Sequence, residues 1–245
     1  MGRRSLGAAM NGRTTLTSSV YEQMRDEIVN GVLAPGEKLR IDVLKTRYGL
    51  GASPVREALN RLSMEKLAVQ VDQRGFMVAP VSLHDLQELT ETRCQLYALT
   101  LPRSIERGDQ LWEENIVLCL HRLNRVPWEI GEPPMLNPLA RQLHREFHRS
   151  LVAAYGSTIL IDFMDTLFDF SDRYRLLSQR AHASRKRGTS TEHAQIAEAV
   201  ITRRVAEAVD LTLAHVRHTS ELVMRAFGEQ KAFGAVAAGL STIVA

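Results

Sequence analysis

The segment AVQVDQRGFMVAP, Ala68 to Pro80, is where the chain most restricts its own fold. Its apolar residues alternate on either side of the turn DQRG, which marks a two-stranded hairpin. Three helical patterns precede it. In SSVYEQMRDEIVNGVL the residues Val20, Met24, Ile28 and Val32 recur at helical spacing behind a serine cap, with Gly31 near the stop. APGEKL is a Pro-Gly turn, and IDVLKTRYG is a short second helix with Ile41, Leu44 and Tyr48 inward and Gly49 at its end. In GLGASPVREALNRLSMEKLAV, Ser53 is placed to cap, Pro54 suits the first helical position, and Val55, Leu59 and Leu62 form a buried stripe. Three short helices and a hairpin over residues 17–80 make a winged helix-turn-helix.

After Pro80 the texture changes to long amphipathic helices with almost no strand signal, expected at about 83–107, 110–124, 138–155, 157–179, 190–202 and 204–227. VPWEIGEPPMLNP holds four of the eight prolines and reads as a loop. The fold class is therefore mainly α: a winged helix-turn-helix followed by an all-α bundle. The expected divisions are a disordered arm at 1–16, the winged domain at 17–80, the bundle at 81–228 and an apolar, Ala-rich tail at 229–245.

A chain of 245 residues with 44% hydrophobic content can bury an ample core. TILIDFM and FGAVAAGLSTIVA are too short or too interrupted to span a bilayer, and no apolar run of signal-peptide length follows Arg3 and Arg4. A cytoplasmic protein without membrane contact is expected. Cys94 and Cys119 stand in no metal-like or redox-like spacing and read as reduced core residues. A net charge of +3 says little about partners, so the placement of the charge matters more.

In the third helix, Arg56 reads as a first-turn cation opposing the positive end of the helix dipole, which a phosphate or base edge would offset. Pairing with Glu57 or another neighbour is the structural alternative. Gly51, Ala52 and Ser53 keep the preceding turn slim. Arg40, Lys45 and Arg47, with Arg74 at the hairpin tip, are placed to bracket a DNA backbone.

In LHREFHRSL, His144 and His148 share one helix face about 5 to 6 Å apart, within reach of one metal ion. Random placement of this many histidines gives such a pair in roughly one chain in five, so the pair alone is a weak motif. Both continue an inward row with Ala140 and Val152, where hydrogen-bonded core histidines are the ordinary reading. Arg93 falls inward with Leu86, Leu89 and Leu96. A buried guanidinium there suits an organic acid or a glutamate from another helix.

From GVLAPGEKL through PVREAL to MVAPVS the chain resembles the DNA-binding domain of GntR-family bacterial transcriptional regulators, with PVREAL the most specific part. The remainder, from DLQELTETR, is similar to the FCD ligand-binding domain of the FadR branch. Where many relatives carry Ser-Arg-Thr before Pro-Val-Arg, this chain has Gly51, Ala52 and Ser53, which leaves Arg56 as the implied DNA contact. The resemblance further implies a divalent metal held by an Asp-x-x-x-His pair and two later histidines. His148, His193 and His215 match these positions, but the aspartate position is His144, so the implied set is four imidazoles. His218, one turn beyond His215, is a further candidate. Nitrogen ligands favour Zn²⁺ or Ni²⁺ over hard ions. In the family an arginine at the place of Arg93 anchors the effector, and Tyr97 replaces a glutamate common in relatives. The implied protein is a homodimer that binds a palindromic operator and responds to a small carboxylic acid.

Two other functions use the same residues. A regulator that senses the ion itself is one. A metal-dependent hydrolase is the other, but Glu146 in HREFH lies about 200° round the helix from His144, pointing away from any ion the histidines share. No catalytic residue is therefore assigned.

Overall fold

The computed structural model describes residues 16–71, 75–132, 135–181 and 189–228. The expected arm, the tail and Arg74 lie outside the described residues, apart from the arm's last residue, Leu16. The chain divides into two compact units at Pro80 and Val81.

The first unit runs α1 (Leu16–Val29), β1 (Lys38–Leu39), α2 (Ile41–Tyr48), α3 (Ala52–Met64), β2 (Ala68–Val71) and β3 (Gly75–Val78). The apolar stripes Val20, Met24 and Ile28 of α1, Leu44 of α2, and Val55, Leu59 and Leu62 of α3 are all buried. Each fully buried aliphatic side chain contributes about 1.5 to 3 kcal/mol, so these stripes set how the three helices pack. Ala68, Phe76 and Val78 extend the buried set into the strands. The hairpin is antiparallel, pairing Ala68 with Val78 and Val71 with Gly75.

Three details of this unit depart from the sequence reading. The sheet has three strands, because Lys38 and Leu39 pair with Met77 and Phe76, in the order β1-β3-β2. A two-residue strand carries no periodicity, so sequence alone gives only its turn. Val32 is 49% exposed, and Leu33 is the buried residue instead, since α1 ends at Val29 and Gly31 turns the chain at φ 67°. The N-cap of α3 is Gly51, with no side-chain cap, so Ser53 and Pro54 are the second and third helical residues. Proline is tolerated there because that N–H has no intrahelical acceptor. Gly49 closes α2 at φ 65°, a conformation that favours glycine.

The second unit runs α4 (Leu83–Arg107), α5 (Gln110–Asn124), β4 (Glu129–Ile130), β5 (Met135–Leu136), α6 (Pro138–Val152), a 3-10 turn (Ala153–Tyr155), α7 (Thr158–Ala181), α8 (Thr189–Ile201) and α9 (Val205–Gly228). Three of these starts are fixed by side-chain caps. Ser82 accepts from the Asp85 N–H, Asp109 from Trp112 and Asn137 from Leu139. A side chain at Gly108 would run into the Trp112 ring, which allows the tight passage from α4 to α5. The expected loop after α5 holds a small ribbon, β4 pairing with β5, too short to register as a strand pattern. The sixth expected helix ends at Val152 rather than at 155, the last three residues forming the 3-10 turn.

Leu101, Ile105, Trp112, Ile116, Leu123, Phe147, Leu151, Ile196, Val200 and Val216 make one continuous core across α4, α5, α6, α8 and α9. Cys94 and Cys119 are free thiols buried in it. Among the described residues no helix is long and apolar enough to cross a membrane.

Candidate metal centre and nucleic-acid face

Helix α6 is amphipathic, and its buried face carries Ala140, Leu143, His144, Phe147, His148, Leu151 and Val152. Here the core contains two imidazoles where aliphatic side chains would ordinarily sit. From α8 and α9, His193 and His215 reach the same space. One nitrogen from each of the four rings lies within 4.8 Å of the others, and all four residues are buried. His148 Nε2 stands 3.1 Å from His144 Nε2, and His193 Nε2 stands 3.3 Å from His215 Nε2.

Burial is the main cause holding these rings uncharged. It pushes His144 and His148 well below the usual imidazole range, helped by Arg175 for His144 and by His215 for His148. His193 falls to about 3 for the same reason. His215 is also lowered by burial, though Glu192 pulls the other way. Four neutral rings offering lone pairs are the protonation state that a nitrogen-bound ion requires. The donor set suits Zn²⁺, Ni²⁺ or Cu²⁺, not Mg²⁺ or Ca²⁺. His218 is exposed and lies outside this group.

The partners of the rings differ. His215 Nδ1 lies 2.6 Å from Glu192 Oε2, and His148 Nδ1 lies 3.3 Å from the Tyr97 hydroxyl. Tyr97 is thus fully buried against a histidine. His144 Nδ1 faces the Arg175 Nη1 donor at 3.1 Å. Arg175 is itself buried and bonds Asp172, one helical turn before it, which Arg141 approaches to 3.4 Å. Burial pushes Asp172 upward while Arg175 and Arg141 pull it down. The net effect is upward, with burial outweighing the two guanidiniums in contact.

Arg93 reaches the same pocket from α4, donating to Ser171 Oγ at 2.9 Å with its guanidinium 5.4 Å from the Phe168 ring centroid. Among the described residues it has no carboxylate within ion-pair distance, so the glutamate partner considered from sequence is not found. Arg93 and Arg175 thus line one pocket with Asp172 and three of the neutral imidazoles, and Arg141 adds its charge at Asp172. Such a pocket attracts anions.

Sequence reasoning missed Arg175, Asp172 and Glu192. The signal for the first two was available: SDRYRLL sets Asp172 and Arg175 at i and i+3 within an apolar helix face. Glu192, half-exposed, gives no such signal. Glu146 binds Gln142 Nε2 at 2.8 Å on the outer face of α6, away from the histidines.

In the first unit, Arg40, Ser53 and Arg56 are exposed. Arg56 has no ion pair among the described residues, so the alternative of pairing with Glu57 is not found. It is the fifth residue of α3 rather than a first-turn residue, because the helix starts at Ala52. The opposition to the helix dipole expected from sequence is correspondingly weak, as that effect fades beyond the first turn. Arg47 pairs with Glu27 at 2.7 Å and Lys45 with Asp42 at 3.3 Å.

A three-helix unit with a wing, followed by a helical bundle with a polar centre, defines a class of bacterial transcription regulators. The sequence pattern of "Bacterial regulatory proteins, gntR family" matches residues 16–78, and that of the FCD domain matches residues 88–218. The chain belongs to the GntR family and carries an FCD domain. It is 31% identical over 216 residues to the HTH-type transcriptional repressor GlaR of Escherichia coli K12, covering 86% of this chain and 98% of that one. It is 33% identical over 215 residues to the HTH-type transcriptional regulator BphR of Paraburkholderia xenovorans LB400, covering 87% of each. The solved structure of E. coli McbR/YncC shares the fold, with a TM-score of 0.67 at 17% identity over 87% of this chain and 99% of that one. These relatives are transcriptional regulators, not enzymes, and the GntR helix-turn-helix implies DNA binding.

Proposed function

We propose that this chain is a metabolite-responsive repressor. Its winged unit binds a palindromic operator as a homodimer in the cytoplasm, and its helical unit holds a divalent transition ion and a small carboxylic acid that alters operator binding. The observation that carries the reading is the group of four buried, neutral imidazoles with the guanidinium of Arg93 beside it, which among the described residues has no ion pair. An ion there would supply a positive centre for a carboxylate. Around it, this chain's own residues orient the rings through Glu192 and Tyr97, exclude water through Phe147 and Phe168, and direct Arg93 at an anion. The repressor reading follows the named role of the E. coli relative GlaR.

On the winged unit, Arg56, Arg40 and Ser53 form the proposed DNA-contacting set, with Arg47 and Arg74 toward the backbone. A single winged helix reads one half-site, so two-fold symmetry goes with a palindrome. The test is selection of bound DNA from a random-sequence library, repeated with chelator and with added carboxylic acids. Recovery of an inverted repeat, released by an acid with metal retained, supports the reading. Release by metal alone would instead favour a sensor of the ion.

A further inference from the structure

The four histidines do not hold equivalent protons. An arginine side chain has only donors, so the 3.1 Å contact between Arg175 Nη1 and His144 Nδ1 requires the lone pair of His144 to be on Nδ1. A neutral imidazole has one proton, and in His144 it must then lie on Nε2. That nitrogen is the one facing His148 Nε2 at 3.1 Å. A nitrogen carrying a proton cannot ligate an ion.

The other three rings differ on this point. Glu192 accepts from His215 Nδ1, which leaves the lone pair of His215 on Nε2, turned toward His193. Tyr97 can accept from His148 Nδ1, and the His144 Nε2–H then donates to the lone pair on His148 Nε2. Among the described residues nothing fixes Nδ1 of His193, so its proton can occupy either nitrogen. A histidine that binds metal ordinarily donates its second N–H to an acceptor. His144 has a donor in that place.

Resting on the metal reading above, we propose that His148, His193 and His215 are the ligands and that His144 is a positioning residue. Its Nε2–H, set by Arg175, is offered to the group that completes the ion's shell. The arrangement is a built one. Asp172, itself approached by Arg141, holds the Arg175 guanidinium, which also lies 5.7 Å from the Trp128 ring centroid, while Trp128 and His144 meet edge to face. Three neutral ligands leave both charges of the ion uncompensated, and the completing group meets an N–H donor with Arg93 and Arg175 nearby. A hydrogen-bond-accepting anion is the matching chemistry, and a neutral amine is excluded.

The test uses the full chain with Zn²⁺ alone, by calorimetric titration and by X-ray absorption at the zinc edge. The wild type should bind about one ion through three imidazoles plus lighter oxygen ligands. His144→Asn should weaken binding by less than tenfold, and His215→Ala by more than a hundredfold. Arg175→Gln, whose carbonyl can accept from Nδ1, should raise the count to four imidazoles. Circular dichroism of each variant separates a folding loss from a ligand loss. Four imidazoles in the wild type, with His144→Asn as damaging as His215→Ala, would overturn this assignment and leave the metal reading standing. Failure of the wild type to bind Zn²⁺ would overturn the metal reading itself, and this inference with it.

Discussion

In the unit ending at Pro80, no charged residue among the described residues is buried, whereas the helical unit buries four histidines, two arginines and an aspartate. The first unit keeps its charges at the surface, where a long polyanion can meet them. Its buried stripes only have to hold the helices in place. The second unit places charge where the dielectric is low and each group needs a partner, which suits a small, enclosed ligand. One chain thus keeps its charge at the surface in one unit and buries it in the other.

Acid should affect the two units differently. Every histidine of the chain lies beyond Pro80. The four clustered histidines are held below the ordinary value of 6.5, His193 at about 3. Below pH 6.5 the unfolded chain takes up protons that the folded rings refuse, so stability falls as pH falls from about 6.5 toward their folded values. His144, His148 and His193 each contribute about 1 kcal/mol of loss between pH 7 and 5.5, or on the order of 3 kcal/mol together, with His215 adding in the same direction. Urea unfolding of metal-free protein at the two pH values measures it. A loss confined to the winged unit would break the contrast.

The converse substitution is Leu59→Ala, which empties a fully buried position of α3. It should destabilise the winged unit by about 2 to 5 kcal/mol while zinc binding by the helical unit persists. Parallel loss of both would show that the units do not act separately.

At the surface, Arg56→Ala should weaken operator binding by about 1 to 3 kcal/mol with unchanged fold and zinc content. Unchanged affinity at fixed salt would remove Arg56 from the reading set.

The smallest expected energy change belongs to Arg93→Ala. Loss of its Ser171 hydrogen bond costs about 1 kcal/mol, or roughly 2 to 4 °C in Tm. The thermal shift produced in the wild type by small carboxylic acids should nonetheless vanish. A normal shift in the variant would make Arg93 structural.

How much of this was legible depended on period and length. The long bundle helices could be read because their apolar residues recur at helical spacing, and in the structure Ser82, Asp109 and Asn137 cap three of the starts. Strands β1, β4 and β5 could not, since two residues make no alternation. Ser53 looks like a cap, but the slim Gly51 and Ala52 let the helix begin earlier. At the site, the spacing of His144 and His148 placed them on one inward face, and the family resemblance supplied His193 and His215. SDRYRLL showed that Arg175 and Asp172 share one face of an apolar helix, but which ring nitrogen Arg175 meets is encoded by no spacing.

Zinc and nickel content of protein purified without chelator, followed by titration with Zn²⁺, tests the central claim most directly. The account predicts about one transition ion per chain, lost in His193→Ala and retained in Arg56→Ala. Protein that carries no ion and takes up no added zinc would contradict it, and the buried imidazoles would then be hydrogen-bonded core residues.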